Sequence, residues 1–249
     1  QSVQNFEIII ADDGSRETTK ELIDRIKVSY PVTIQHVWQE DKGFQKSQIL
    51  NKAILASKSD YLIFTDGDCI PRFDFVEQHL RFREEGYFLS GGYFKLPMST
   101  SRQITQQDVE SQNCFKLSWL RKNGLPFSFK NIKLIATGLL SKLLNALTPT
   151  KATWNGHNAS GWKKDLLAIN GFNQEMQYGG QDRELGERLV NLGLKSKQIR
   201  YNAICLHLDH ARGYVNPETW EKNNRIRQNT RDQKVVRTIV GIDANVSQD

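Results

Sequence analysis

Two aspartates flank a glycine at Asp66-Gly67-Asp68, directly after the apolar run at residues 61–65. Where a chain turns at the end of a strand, carboxylates separated by one residue can point to the same side, and glycine lets the backbone approach a ligand closely. Hard oxygen ligands of this kind suit Mg²⁺ or Mn²⁺ bridging a diphosphate. Asp-Gly-Asp is also an ordinary turn, so the triplet alone decides nothing. A second acidic pair, Asp12-Asp13, follows the apolar run at residues 6–11. These carboxylates would accept hydrogen bonds from a nucleobase imide or a ribose hydroxyl, or else close an Asx-turn that caps the next helix. Downstream, Gly179-Gly180-Gln181-Asp182 stands at a helix start, where the dipole stabilises a carboxylate. Asp182 is thereby a candidate general base for an acceptor hydroxyl, with a plain N-cap as the competing use. His207 and His210 close the set, and one of them is a candidate third metal ligand. Lys42, Lys46, Arg183 and Arg212 are candidate phosphate contacts, although surface ion pairing is the ordinary use of each.

These groups need elements to position them. Residues 6–11 (FEIIIA) read as a strand buried on both faces, 18–28 as a helix, and 32–37 as a second strand. Residues 47–56 are helical and 61–65 form a third strand, which gives β-α-β-α-β and a parallel sheet with crossover helices. Ligands of such sheets sit at the carboxyl ends of the strands, and both acidic clusters lie there. A helix is expected at 73–83 and one strand at 87–96. Residues 130–147 are amphipathic and basic, a pattern for an anionic membrane surface or, more commonly, for packing on the domain or forming a lid. A short helix at 166–172, a helix at 183–192 and a strand at 199–207 follow, and the charged stretch from Pro217 reads as a peripheral helix.

With 249 residues and 38% hydrophobic content, the chain has enough material for one α/β domain with a real core, and a disordered or fibrous class is excluded. A net charge of +6 suits a phosphorylated ligand, an anionic membrane or nucleic acid, or simply a solvated basic surface. Cys69, Cys114 and Cys205 have neither disulfide-framework nor zinc-knuckle spacing, so a reducing, cytoplasmic setting is expected. There is no apolar run long enough to span a membrane.

The segments FEIIIADDGS, QEDKGFQKSQILNKAI and DYLIFTDGDCIPRFDFVEQH resemble, in order, the family 2 glycosyltransferases with the GT-A fold. The stretch from His157 to His210, with its GGQDRELGERL core, resembles the galactosyltransferase-type C-terminal region of bacterial chondroitin-polymerase modules and β-1,4-galactosyltransferases. The resemblance covers residues 6–96 and 154–212. It implies a Rossmann-like, mostly parallel central sheet flanked by helices. It also implies that Asp12 or Asp13 reads uracil and ribose, and that Asp66 and Asp68 are the DxD, Asp68 being the more direct metal ligand. Asp182 would be the catalytic base and His207 the late metal ligand, with His210 as its rival. Trp154, Asn158, Trp162, Gly180 and Gln181 would shape the sugar and acceptor pocket, an aromatic face stacking on the pyranose.

Two departures stand out. The family's Glu before the base is Gln181 here. The family's first β-α unit, roughly 25–30 residues on the usual size of such an element, has no counterpart before residue 6, so a truncated chain, a start lying upstream or an incomplete pocket is expected. The implied activity is inverting transfer of a hexose or N-acetylhexosamine from a UDP-sugar to a glycan or lipid-linked glycan acceptor in surface polysaccharide synthesis, with Mn²⁺ or Mg²⁺. The implied organisation is a nucleotide-sugar half at 1–96, a variable insertion at 97–153, and an acceptor half at 154–249 within one GT-A domain. Nucleic acid is not an expected partner; peripheral contact with the inner membrane face through 130–147 is. A sugar-phosphate nucleotidyltransferase and a non-catalytic glycan-binding domain are the competing functions.

Overall fold

The computed structural model describes residues 1–210 and 216–246. Nine strands are present among them: β1 (Ile8–Asp12), β2 (Ile34–Trp38), β3 (Tyr61–Phe64), β4 (Cys69–Pro71), β5 (Tyr87–Ser90), β6 (Gly92–Lys95), β7 (Ala159–Trp162), β8 (Lys195–Gln198) and β9 (Ile204–His207). They form a β1-β2 pair, a β3-β7-β5-β8 sheet and a β4-β9-β6 sheet. Pairs β1–β2 and β6–β9 run parallel, whereas β5–β7 and β4–β9 run antiparallel. The third strand therefore bonds to β7, far away in sequence, instead of extending the β1–β2 pair.

The chain divides into two compact units, each assembled from separated segments. The unit holding residues 63–160 and 196–213 is built around β9. This strand lies between β4 and β6 and is buried at all four positions, as a central strand must be. Next to it β6 alternates, with Phe94 inward and Tyr93 and Lys95 outward. Phe94, Leu96, Ile204 and Leu206 then join Leu120, Leu125 and Leu134 in one apolar cluster. The expected single strand at 87–96 is broken at Gly91. A Cβ there would stand 1.9 Å from the Asn158 Oδ1, and the two halves enter different sheets.

The unit holding residues 4–62, 161–195 and 214–249 carries the β1–β2 pair, in register Ile8↔Ile34 to Asp12↔Trp38. Helices Glu17–Ser29 and Lys46–Ala56 lie within about two residues of their expected bounds. Asn51, fully buried in the second of these, donates to the Phe172 carbonyl at 2.9 Å and accepts from its N–H at 2.7 Å. The short helix expected at 166–172 is Lys163–Ala168, because Asn170 and Gly171 both take left-handed conformations and end it. Arg188 is fully buried in the helix Gln181–Asn191. It forks onto Glu184 at 2.8 and 2.9 Å and donates to the carbonyls of Ile169 and Gly171 at 2.6 and 2.7 Å. Such a pair is tolerated in an interior only when every lone pair and proton is answered in this way.

The amphipathic stretch at 130–147 is not one helix. A 3₁₀ turn (Phe129–Asn131) and a short helix (Ile132–Ile135) precede a break at Thr137, and the helix Gly138–Leu147 follows. No helix among the described residues is long and apolar enough to cross a membrane.

Candidate active site

Asp66-Gly67-Asp68 forms the connection from β3 to β4, closed by the Cys69 N–H donating to the Asp66 carbonyl at 3.1 Å. The β4–β9 register sets Cys69 opposite His207, and the Leu208 N–H extends the ladder to the Asp68 carbonyl at 2.9 Å. Side chains follow the register. The His207 Nε2 stands 3.5 Å from Oδ2 of Asp68, and the His210 Nε2 stands 2.9 Å from the same oxygen. The two imidazoles lie 6.0 Å apart with their planes 16° apart.

The Nδ1 of His207 is 2.8 Å from the Leu208 carbonyl, which can only accept, so Nδ1 donates there and Nε2 is the nitrogen turned toward Asp68. An imidazole anchored to a carbonyl through one nitrogen, with the other aimed at a carboxylate, has the orientation of a metal-ligating histidine. Ligand atoms of Asp68, Cys69 and His207 all lie within 4.8 Å of one another. The Asp68 carboxylate and the His207 imidazole fit a divalent cation, and Asp66, half-buried at the start of the same turn, is the other carboxylate of the triplet. Cysteine spacing did not point to Cys69; its adjacency to Asp68 was the only signal. A hydrogen bond with Cys205, and then burial, push the Cys69 thiol far above its ordinary range. Tyr93, which no motif singled out, has its ring 5.6 Å from that of His207 and 4.4 Å from that of His157.

The same unit holds Trp154 and Asn158. Trp154 is fully buried, with Phe64 edge-on at 5.3 Å and Phe88 tilted at 5.8 Å. It has no open face for a pyranose, and its packing braces the strand that leads into Asp66. Asn158 is likewise fully buried, donating to the carbonyls of Gly92 and Ala203 at 2.7 and 3.0 Å. Its Oδ1 meets the His79 Nε2 at 2.9 Å, while the His79 Nδ1 meets the Ser160 hydroxyl at 2.7 Å. Both residues were expected in a ligand pocket; their side chains are spent instead on joining strands. Burial lowers the pKa of His79 to about 4, against the opposing pull of the Asn158 hydrogen bond.

In the other unit Asp12 and Asp13 organise the loops after β1 and β2. Asp12 accepts from the Ser15 N–H at 2.8 Å and sits 2.8 Å from the His36 Nε2. Burial is the largest influence on its pKa and raises it, yet the bonds from Ser15 and His36 together leave it below the ordinary value. Asp13 accepts from the Gln39 side chain and the Gln45 N–H, both at 2.7 Å. Gly14, at φ +92°, lets Asp41 approach so closely that a Cβ would stand 2.5 Å from it. The Asp12 bond to Ser15, three residues on, closes this loop, and the following helix takes no side-chain cap.

Asp182 is the second residue of the helix Gln181–Asn191, and the N-cap is Gly180, at φ 87°. The plain-cap reading of Asp182 is therefore excluded, and its half-buried carboxylate lies in the first turn, on the positive end of the dipole. The approach to it is fixed. Gln181 accepts from the Gly179 N–H at 2.9 Å, and the buried Asn223 donates to the carbonyls of Gln177, Tyr178 and Gly179. Gly179 and Gly180 have positive φ and lie against Trp220 and Arg227, where a Cβ would come within 2.8 and 2.9 Å. Trp162 is half-buried, edge-on to Tyr61 at 5.1 Å. Of the candidate phosphate contacts, Lys42 pairs with Glu40 at 3.0 Å, Lys46 opens its helix and Arg183 is exposed; Arg212 lies outside the described residues.

The model of glycosyl transferase family 2 matches residues 1–143. An uncharacterized glycosyltransferase, YfnE, of Bacillus subtilis (strain 168) is 25% identical over 232 residues, 83% of this chain and 58% of that protein. A chondroitin synthase of Escherichia coli is 25% identical over 223 residues, 83% of this chain and 31% of that protein. The chain thus spans less than two thirds of either relative. Among solved structures, S. aureus TarS 1–349 in complex with UDP-GlcNAc aligns with a TM-score of 0.60 at 12% identity, covering 94% of this chain and 64% of that one. GalNAc-T7 with UDP, GalNAc and Mn²⁺ aligns with a TM-score of 0.56 at 13% identity, covering 89% and 41%. At such identities the likeness shows the fold, an α/β GT-A fold.

Proposed function

Because the chain belongs to glycosyl transferase family 2, we propose that it transfers a hexose or N-acetylhexosamine from a UDP-sugar to a glycan acceptor, with inversion at the anomeric carbon. The observation that carries this reading is the convergence of Asp68, His207 and His210 where β4 begins and β9 ends, beside Asp66. Fold relatives solved with UDP and Mn²⁺ and with UDP-GlcNAc support a nucleotide-sugar donor and a divalent ion.

Roles are assigned unit by unit. Asp68 and His207, with Asp66, would hold Mn²⁺ or Mg²⁺, which neutralises charge on the departing diphosphate when bound. Asp12 and Asp13 hold the loops that read the nucleotide. Asp182 takes the proton from the acceptor hydroxyl, whose oxygen attacks the anomeric carbon opposite the leaving UDP. Trp162, Gly180 and Gln181 serve the sugar and acceptor pocket directly, while Trp154 and Asn158 serve it by bracing its frame. The division into a donor half (1–96), an insertion (97–153) and an acceptor half (154–249) belongs to the same reading. So do a role in capsule or lipopolysaccharide synthesis, a lipid-linked acceptor and a cytoplasmic site with peripheral membrane contact through 130–147.

Calorimetry with UDP and Mn²⁺, followed by a UDP-sugar hydrolysis screen, tests it. Metal-dependent UDP binding and release of UDP are expected. Release of pyrophosphate from UTP and a sugar 1-phosphate would instead make the protein a nucleotidyltransferase, and absence of UDP binding would leave a non-catalytic glycan-binding domain.

A further inference from the structure

The helix Gly138–Leu147 presents its faces the opposite way to an ordinary surface helix. Its uncharged polar side chains, Ser141 and Asn145, point into the protein. Ser141 is fully buried and accepts from Asn202 at 3.0 Å, while Asn145 donates to Asn202 at 2.6 Å and accepts from the Tyr201 N–H at 3.1 Å. Leu139, Leu143 and Leu147, spaced four apart on one face, are 83%, 55% and 68% exposed. Just upstream, Phe127 and Phe129 are 81% and 101% exposed. An apolar surface of this kind marks an interaction site.

Charge identifies the partner. Residues 111–160 contain seven lysines and arginines and not one aspartate or glutamate. The Arg121 guanidinium lies 4.0 Å from the centre of the Phe127 ring. Lys133, whose ammonium is 3.4 Å from the Tyr93 carbonyl, has its pKa held down at about 8 by burial first and then by Arg200 and Lys130. A stretch of cations that carries no carboxylate of its own is relieved by an anionic surface, whereas a protein partner would need a matching acidic face.

We propose that this face docks the protein on an anionic phospholipid bilayer. The leucines of the helix Gly138–Leu147, with Phe127 and Phe129, enter the boundary between headgroups and acyl chains, and Lys130, Lys133 and Lys142 hold the phosphate headgroups. This rests on the peripheral membrane contact proposed above and gives it residues and a lipid chemistry.

Flotation with vesicles of phosphatidylcholine, and of phosphatidylcholine mixed equally with phosphatidylglycerol, tests it on the full chain. Binding to the mixed vesicles alone is expected. Lys130→Gln/Lys142→Gln should weaken it by roughly 10- to 30-fold, on the usual contribution of a basic residue near such a surface. Leu139→Ser/Leu143→Ser/Leu147→Ser, which alters only exposed positions, should abolish it. UDP affinity should be unchanged in both variants, so failure of the transferase reading registers separately as loss of UDP binding in the parent protein. Equal partition onto both vesicle types, or none onto either, overturns the proposal. A dimer in size-exclusion chromatography that the leucine variant converts to monomer would assign the face to a second copy instead.

Discussion

His207 and Asp68 are held 3.5 Å apart, nitrogen to carboxylate oxygen, by the pairing of two strands whose members are more than 130 residues apart in the chain. The ring cannot turn away, because its other nitrogen donates to the Leu208 carbonyl. That constraint makes the pair testable as a unit. Asp68→Asn and His207→Ala should each reduce UDP affinity measured with Mn²⁺ by about 10- to 100-fold, the usual cost of disturbing a ligand set. Affinity measured with EDTA should not change. Equal loss in both conditions would remove the metal assignment.

Asp182→Asn should keep UDP binding and lose transfer by about 10²- to 10⁴-fold, the range of general-base catalysis. The loop before it is held by Gln181 and Asn223, so the substitution leaves its geometry in place. Single-turnover assays with a saturating donor report the chemical step, and transfer at the parent rate would exclude Asp182 as the base.

His79 predicts a pH dependence of stability. Its folded pKa, about 4, lies below the ordinary 6.5 because the ring is buried. Between these values the unfolded chain binds more protons, so stability falls as the pH drops from 6.5 to 4, by on the order of 3 kcal/mol for the full shift. Asp12 acts lower down: its folded pKa lies under the ordinary 3.8, so its contribution is present above that value and lost as the pH falls through the folded one. Urea titrations across pH 4–7 should show the first slope, and His79→Gln should flatten it.

Removing the Arg188 guanidinium leaves Glu184 charged and buried beside two unanswered carbonyls. Arg188→Ala should therefore destabilise the protein by about 3–5 kcal/mol, read as a lower urea midpoint. Arg188→Met with Glu184→Leu should recover much of that loss, since no charge is then stranded.

Two glycines should respond in opposite ways. At Gly91 a Cβ would strike Asn158, so Gly91→Ala should cost about 1–3 kcal/mol of stability by overpacking. At Gly67 a Cβ would meet no atom within 4 Å, so Gly67→Ala should stay within about 0.5 kcal/mol of the parent. If the backbone there approaches a diphosphate, the same variant should still bind UDP more weakly. A melting curve and a UDP titration on each protein separate the two effects.

Local pattern was enough to read the helices Glu17–Ser29, Lys46–Ala56 and Gln181–Asn191, and the strands that end at Asp12 and before Asp66, because apolar spacing and turn residues act within a few positions. The family, and the candidate acids at the strand ends, came from the same short stretches. What faces each side chain was decided elsewhere. The apolar stripe at 130–147 was visible in the sequence, but only the buried hydrogen bonds of Ser141 and Asn145 show that it is turned outward. Trp154 and Asn158 read as pocket residues until burial and strand contacts claimed their side chains. The strand at 87–96 divides because Asn158, more than 60 residues away, occupies the space beside Gly91. Cys69 and His207 meet through β4–β9 register, which depends on two distant segments at once. Local spacing marks which residues could do chemistry and which elements carry them. Which of them meet depends on non-local strand pairing, which sets side-chain neighbours that local spacing cannot encode.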